Sequence, residues 1–208
     1  MDHWIANDFP NAPRRASILH AVAEHDNGWR EPDVVPIVDD ASGAILDFIT
    51  APLDVRQGIW PRGAERLAGD PWAAALVAEH AVFIYRRWRA QAEWAAFFIR
   101  MERLRDRFVA TTGLTLTDLQ ADYFFLRVAD LISLVFCNAW TDVQEIGGTA
   151  IRMQGDVVVV EPDPFAGRQV PLEIEARELP RQTWTTREAA AAYAGAPRVK
   201  VKGRLMGQ

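Results

Sequence analysis

His25 and Asp26 stand together in the run His25-Asp26-Asn27-Gly28-Trp29. Imidazole and carboxylate together suit a divalent ion such as Zn, Mn or Fe. Neighbouring helical residues point about 100° apart, so both side chains can approach one ion placed beside a helix end. His25 continues an apolar stripe through Ile18 and Val22, and Asp26 through Leu19 and Val22. Both therefore face inward, where an unpaired carboxylate is costly. The same residues also read as a capped helix end, with Asp26 bonding nearby backbone and His25 satisfied in the core.

Asp130 lies between Val128-Ala129 and Leu131-Ile132, in the most apolar stretch of the chain. A buried aspartate needs a charge partner, a set of donors or a metal. Arg127, three residues earlier on the same helical face, is the local partner that a structural ion pair would use. His80 sits on an apolar stripe with Leu76 and Ile84 one turn to either side, which fits a core histidine as well as a ligand. His20 precedes His25 by five residues, about 140° around a helix, so the two do not share an ion.

Other chemistries find less support. The stretch 81–110 interleaves arginines with Phe83, Tyr85, Trp88, Trp94 and Phe98. That pattern can grip nucleic acid, but it reads better as a solvated face with aromatics turned to the core. Cys137 stands alone among apolar neighbours, with no histidine-asparagine constellation to make it a nucleophile. There is no P-loop, GxGxxG or GxSxG sequence.

The elements that must position these groups are mostly helical. Pro13 suits a helix start and Asn27-Gly28 a helix end. Residues 30–62 carry four prolines and read as a long ordered loop, with a short helix near Leu53–Gly58. Asp70-Pro71 opens a helical pattern that runs to Gly113, too long for one globular helix, so a break is expected around Trp88–Glu93. The next helix starts at Thr115 or Thr117, the capping-box spacing of Thr117 and Gln120 favouring the later start, and ends near Trp140. Beyond Gly147-Gly148 come three strand candidates (149–153, 156–161 and 170–177), a helix capped by Thr185 and Glu188, and a last strand over 198–205.

The fold class is accordingly α+β: a helical core over 1–146 and a small antiparallel, β-rich extension over 147–208. The chain has 208 residues, half of them hydrophobic, and a formal net charge of −5, which excludes disorder for most of its length. No apolar run approaches the roughly 18–20 residues of a membrane span. The N-terminus lacks a basic segment followed by an apolar one, so no signal peptide is expected. The single cysteine fits a reducing, cytoplasmic setting. The acidic balance argues against nucleic acid as partner.

His3-Trp4, His25-Asp26-Asn27-Gly28-Trp29, Glu79-His80 and Arg127–Leu134 together resemble an uncharacterised bacterial family, domain-of-unknown-function family 3891, with an HD(D/N)GW signature. Glu161–Phe165 and Ala176–Pro180 extend the resemblance over nearly the whole chain. The order His, His-Asp, Asp is also similar to that of the helical HD metal phosphohydrolases. Carried over by order, that resemblance implies His3, His25, Asp26 and Asp130 as metal ligands, with His80 as a further ligand or phosphate-facing catalytic acid. It implies a divalent cofactor (Zn, Mn, Fe or Mg) and a metal-bound water acting on a phosphate ester or nucleotide.

The function expected is therefore a metal-dependent hydrolase of a small-molecule substrate, with an HD-like core and Arg30 as a candidate phosphate clamp. The alternative is a protein that holds a small ligand or a partner in the same pocket without turnover. The sequence does not name the oligomeric state.

Overall fold

A computed structural model describes residues 1–208 as five long helices followed by a sheet with one further helix. Helix α1 spans Arg15–Glu24, α2 Leu53–Arg66, α3 Pro71–Tyr85, α4 Ala95–Thr112 and α5 Leu116–Asn138. Strands β1 (Gln144–Ile146), β2 (Thr149–Gln154), β3 (Val157–Glu161) and β4 (Val170–Arg177) precede α6 (Thr186–Gly195) and β5 (Arg198–Gly207). No helix is long and apolar enough to cross a membrane.

Helix α3 lies at the centre and is apolar all round, from Trp72 to Val82. A helix with that composition has to be covered on every side, and α1, α2, α4 and α5 all pack against it. Its two buried polar residues are adjacent. Glu79 accepts from Arg105 Nη1 of α4 at 2.8 Å and from Gln120 Nε2 of α5 at 2.6 Å, tying three helices at one carboxylate. His80 projects from the neighbouring face, where it meets His25 at the end of α1, Trp60 of α2 and Tyr123 of α5. A second buried carboxylate, Asp122, takes the Trp72 indole N–H at 2.8 Å and an ion pair from Arg14 at the start of α1.

Two boundaries differ from the sequence reading. The α2 helix runs through Pro61 to Arg66 rather than stopping near Gly58, because Ile59, Trp60 and Ala64 bury one face and outweigh the lost backbone donor. The α5 helix is capped by Thr115, whose side chain accepts from Asp118 N–H while Asp118 accepts from Thr115 N–H. Aspartate at that third position serves as well as the Glu or Gln of the usual box, so Thr117 is not the cap. The break expected around Trp88–Glu93 is present, between α3 and α4 over residues 86–94, as two short 3-10 turns.

The sheet order is β1-β2-β3-β5-β4. It is mixed rather than wholly antiparallel. The β5 strand returns through α6 and inserts between β3 and β4, parallel to β3 and antiparallel to β4. Val158, Val160 and Leu205 of the sheet and Leu126, Val135 and Phe136 of α5 belong to one continuous hydrophobic core. At the other end, Ile5 N–H donates to Pro164 O at 2.8 Å and Trp4 packs edge-on against Phe165. The N-terminal segment is thereby fastened to the loop after β3.

The Asn27-Gly28 turn after α1 is pressed onto α2. A Cβ on Gly28 would lie 2.1 Å from the Ile59 carbonyl oxygen, an overlap that side-chain motion cannot relieve. Arg62 donates to Gly28 O at 3.0 Å and Arg66 to Asn27 O at 2.6 Å, so α2 also satisfies the turn's carbonyls. Gly28→Ala should destabilise by about 1–3 kcal/mol, as overpacking does, and lower Tm by roughly 2–4 °C per kcal/mol in a chain of this size. Gly58→Ala, in the same helix but with open space at the Cβ, should be neutral or stabilise by up to about 1 kcal/mol. Thermal melts of the two variants beside the wild type test both statements.

Candidate metal centre

His25 caps the C-terminal end of α1. Its Nδ1 lies 2.9 Å from the Val22 carbonyl oxygen, which can only accept, so Nδ1 carries a proton. Nε2 is thereby turned outward, 3.2 Å from Asp26 Oδ2 and 3.5 Å from Asp130 Oδ1. The other oxygen of Asp130 lies 3.9 Å from His80 Nε2. One carboxylate on α5 thus bridges a histidine from α1 and a histidine from α3. The ligand atoms of His25, His80 and Asp130 all lie within 4.8 Å of one another.

Both imidazoles are held from behind. His80 is buried and its Nδ1 sits 3.0 Å from the Tyr123 hydroxyl. When that hydroxyl accepts, the lone pair of His80 Nε2 faces Asp130. The ring also meets Trp60 at 5.4 Å and His25 at 5.5 Å, edge to face, and Trp60 is fixed by donating its indole N–H to Tyr85 at 3.2 Å. Supports of this kind, which choose the tautomer and aim the free nitrogen, accompany metal-binding histidines.

The electrostatics ask for a positive charge at the centre of the group. Burial pushes the His25 imidazole down, but hydrogen bonds and charge from Asp130 and Asp26 outweigh it and hold the pKa at about 10. Burial also pushes the Asp26 carboxyl up, and His25 reverses that to a value below the ordinary one. His80 is different. Its burial prevails over the pull of Asp130, taking it down to about 4, so this imidazole is neutral. Two carboxylates facing one protonated imidazole and one neutral imidazole form a set in which a divalent cation can take the place of the proton on His25.

The group borders a cavity of about 730 Å³. Asp26, His80, Asp130, Trp60 and Tyr85 form part of its lining. The segment between α1 and α2 supplies a wall with Val35, Ile45 and Phe48, and the C-terminal part supplies Arg177, Leu179 and Tyr193. Arg177 is engaged there, donating to the carbonyls of Tyr193 in the last turn of α6 at 2.8 Å and of Ala196 just beyond it at 2.9 Å.

Of the residues singled out from the sequence, His25, Asp26, His80 and Asp130 come together. Arg127 does not pair with Asp130. Its guanidinium lies 3.9 Å from the centre of the Phe83 ring. Two expected participants lie elsewhere. His3 is exposed and outside the ligand group, because its neighbour Trp4 is the anchored residue of that segment. Arg30 is exposed and paired with Glu24 at 2.6 Å, away from the cavity. His20 is bound to Asp70 at 3.1 Å.

Tyr123 and Trp60, which support His80, and Asp33, which lines the cavity, have no role in the sequence reading. Tyr123 carried a usable signal, since it precedes Asp130 by two helical turns and shares its face. Trp60 carried none, lying in a segment read as loop.

A family model described as "Protein of unknown function (DUF3891)" matches residues 1–181. No curated protein and no solved structure matches the chain.

The linkage of His25 gives a pH dependence in metal-free protein. Its folded pKa is raised, so its contribution to stability is complete below about pH 6.5 and is lost as pH rises towards 10. The depressed His80 contributes in the opposite sense, costing stability as pH falls from about 6.5 towards 4. Urea unfolding in chelator between pH 6.5 and 9.5 should show falling stability. Asp130→Asn should flatten that fall, and histidine NMR titration should assign the high pKa to His25.

Proposed function

The chain belongs to the DUF3891 family, and from the geometry of its pocket we propose that it is a metal-dependent hydrolase acting on a phosphate ester. One observation carries the reading. A histidine whose Nδ1 proton is committed to a backbone carbonyl turns Nε2 onto two carboxylates, beside a second, neutral histidine braced by a tyrosine. The donor set of two imidazole nitrogens and carboxylate oxygens suits Zn, Mn or Fe, and less well Mg.

His25, His80 and Asp130 would hold the ion, and Asp26, open to the cavity, would add a fourth donor from the substrate side. A divalent ion bound there supplies Lewis acidity, lowering the pKa of water and neutralising charge that develops on the phosphoryl oxygens. His80 serves as a ligand rather than an acid, since a buried imidazole that is neutral near pH 7 has no proton to spare at Nε2 once Nδ1 donates to Tyr123. Tyr123 and Val22 orient the two rings. Trp60 and Tyr85 shield the buried side of the centre from water.

The His, His-Asp, Asp order of the HD phosphohydrolases agrees with this assignment for His25, Asp26 and Asp130. It leaves His80 in the place where His3 had been expected. The apolar lining of the cavity favours a second reading, a small-ligand binder that carries the same metal without turnover.

Protein prepared free of chelator should contain one divalent ion per chain by elemental analysis. His25→Ala and Asp130→Asn should abolish stoichiometric metal, and Tyr123→Phe should weaken affinity by about 10–100-fold, as loss of a ligand's outer hydrogen bond does. Arg127→Ala should leave the metal content unchanged. Wild-type protein without stoichiometric metal after incubation with Zn, Mn and Fe(II) would overturn the hydrolase reading. Loaded protein that turns over no phosphate ester would favour the binder.

A further inference from the structure

The walls of the cavity say more about the substrate than its floor does. Val35, Ile45 and Phe48 each expose more than a third of their surface, yet all three border the cavity. Exposed apolar side chains gathered along one segment mark a surface that a ligand covers. Trp29, Leu134 and Tyr193 continue the apolar lining.

The charges in the cavity point the same way. Asp26, Asp33, Asp47 and Asp130 border it, against a single arginine. That arginine, Arg177, is spent on the carbonyls at the end of α6 and on the face of the Tyr193 ring. Arg30, the nearest cation in sequence to the His25-Asp26 pair, belongs to Glu24. Asp47 is occupied by Thr50, accepting from its N–H at 2.8 Å and its hydroxyl at 2.7 Å. Sites that bind polyphosphates gather arginines, lysines or helix N-termini around the extra phosphates. This cavity has no free cation for a second or third phosphate, and Asp33 would repel one.

Resting on the hydrolase reading above, we infer that the substrate is the monophosphate ester of a bulky apolar or aromatic alcohol, not a nucleotide or a polyphosphate. The single phosphoryl group would meet the metal centre and the organic group would fill the space between Phe48 and Leu134. In hydrolysis the water oxygen joins phosphorus, the phosphorus–oxygen bond to the organic group breaks, and a water proton ends on the departing alkoxide. The volume of about 730 Å³ is within the usual range for a small-molecule site and leaves room for more than one ring.

The test uses metal-loaded full-length protein with 1-naphthyl phosphate, AMP and ATP, together with 1-naphthol as a neutral ligand read by quenching of tryptophan fluorescence. The kcat/KM for 1-naphthyl phosphate should exceed that for AMP by about tenfold or more, the scale on which apolar pockets discriminate. 1-Naphthol should inhibit competitively. Phe48→Asp and Ile45→Asp, at exposed positions that the fold can spare, should raise KM for 1-naphthyl phosphate and weaken 1-naphthol binding while leaving metal content intact.

Preference for AMP or ATP would overturn the inference. So would failure of 1-naphthol to bind, or binding that Phe48→Asp does not change. If 1-naphthol binds as expected but none of the three phosphates is turned over, the hydrolase reading falls. The apolar character of the occupant then stands, and the phosphate in its structure is withdrawn.

Discussion

The contact on which the site depends is the backbone of Gly28 against the backbone of Ile59. Helices packed through side chains keep their axes 8–10 Å apart, whereas here a turn approaches α2 with no Cβ between them. That approach brings the end of α1, and with it His25 and Asp26, to the flank of the central helix where His80 projects. The run His25-Asp26-Asn27-Gly28-Trp29 therefore divides its labour. The first two residues present donors, Asn27 is buried and bonds Gly63 O at 3.2 Å, Gly28 permits the contact, and Trp29 borders the cavity.

With the turn so placed, electrostatics do the rest. Asp130 projects from α5 towards the Nε2 atoms of two imidazoles whose Nδ1 atoms are already committed. In the absence of another cation the proton on His25 holds the carboxylates together, which is why its pKa is raised despite burial. Glu79, next to His80 in sequence, shows the contrast. It is equally buried, but Arg105 and Gln120 satisfy it completely, so it carries no comparable demand. Two adjacent polar residues on one apolar helix thus serve different ends, one locking three helices and one facing the cavity.

Much of this was legible in the residues. The inward carboxylate of Asp130 and the stripe positions of His25 and His80 follow from helical periodicity, which registers which face a residue occupies. Periodicity does not register which of two partners a buried carboxylate chooses, and Arg127 turned to Phe83 instead. His3 was drawn in by the order of a motif, which carries no information on distance. The three-dimensional neighbour was His80, fifty-five residues beyond His25 in the chain. The continuation of α2 through Pro61 was hidden because local propensity opposes it and tertiary burial of Ile59, Trp60 and Ala64 decides it. The parallel β3–β5 pairing was hidden for a similar reason, since alternation marks strands but not their order.

The reach of the family match bears on which parts of the cavity go together. It ends at residue 181, after β4 but before α6 and β5. The sheet cannot be completed without β5, because β4 pairs only with β5, and β5 alone joins it to β3. Residues 198–207 are therefore a structural requirement of the matched portion. The α6 helix has a looser obligation. It returns the chain to the strand, and in doing so sets Tyr193 and the carbonyls that engage Arg177 at the cavity edge. The floor is built from α1, α3 and α5, deep in the matched region, whereas part of the rim comes from a connection whose sequence the fold constrains less. Substitutions in α6 can then alter the cavity edge at Tyr193 without moving the helices that aim His25, His80 and Asp130.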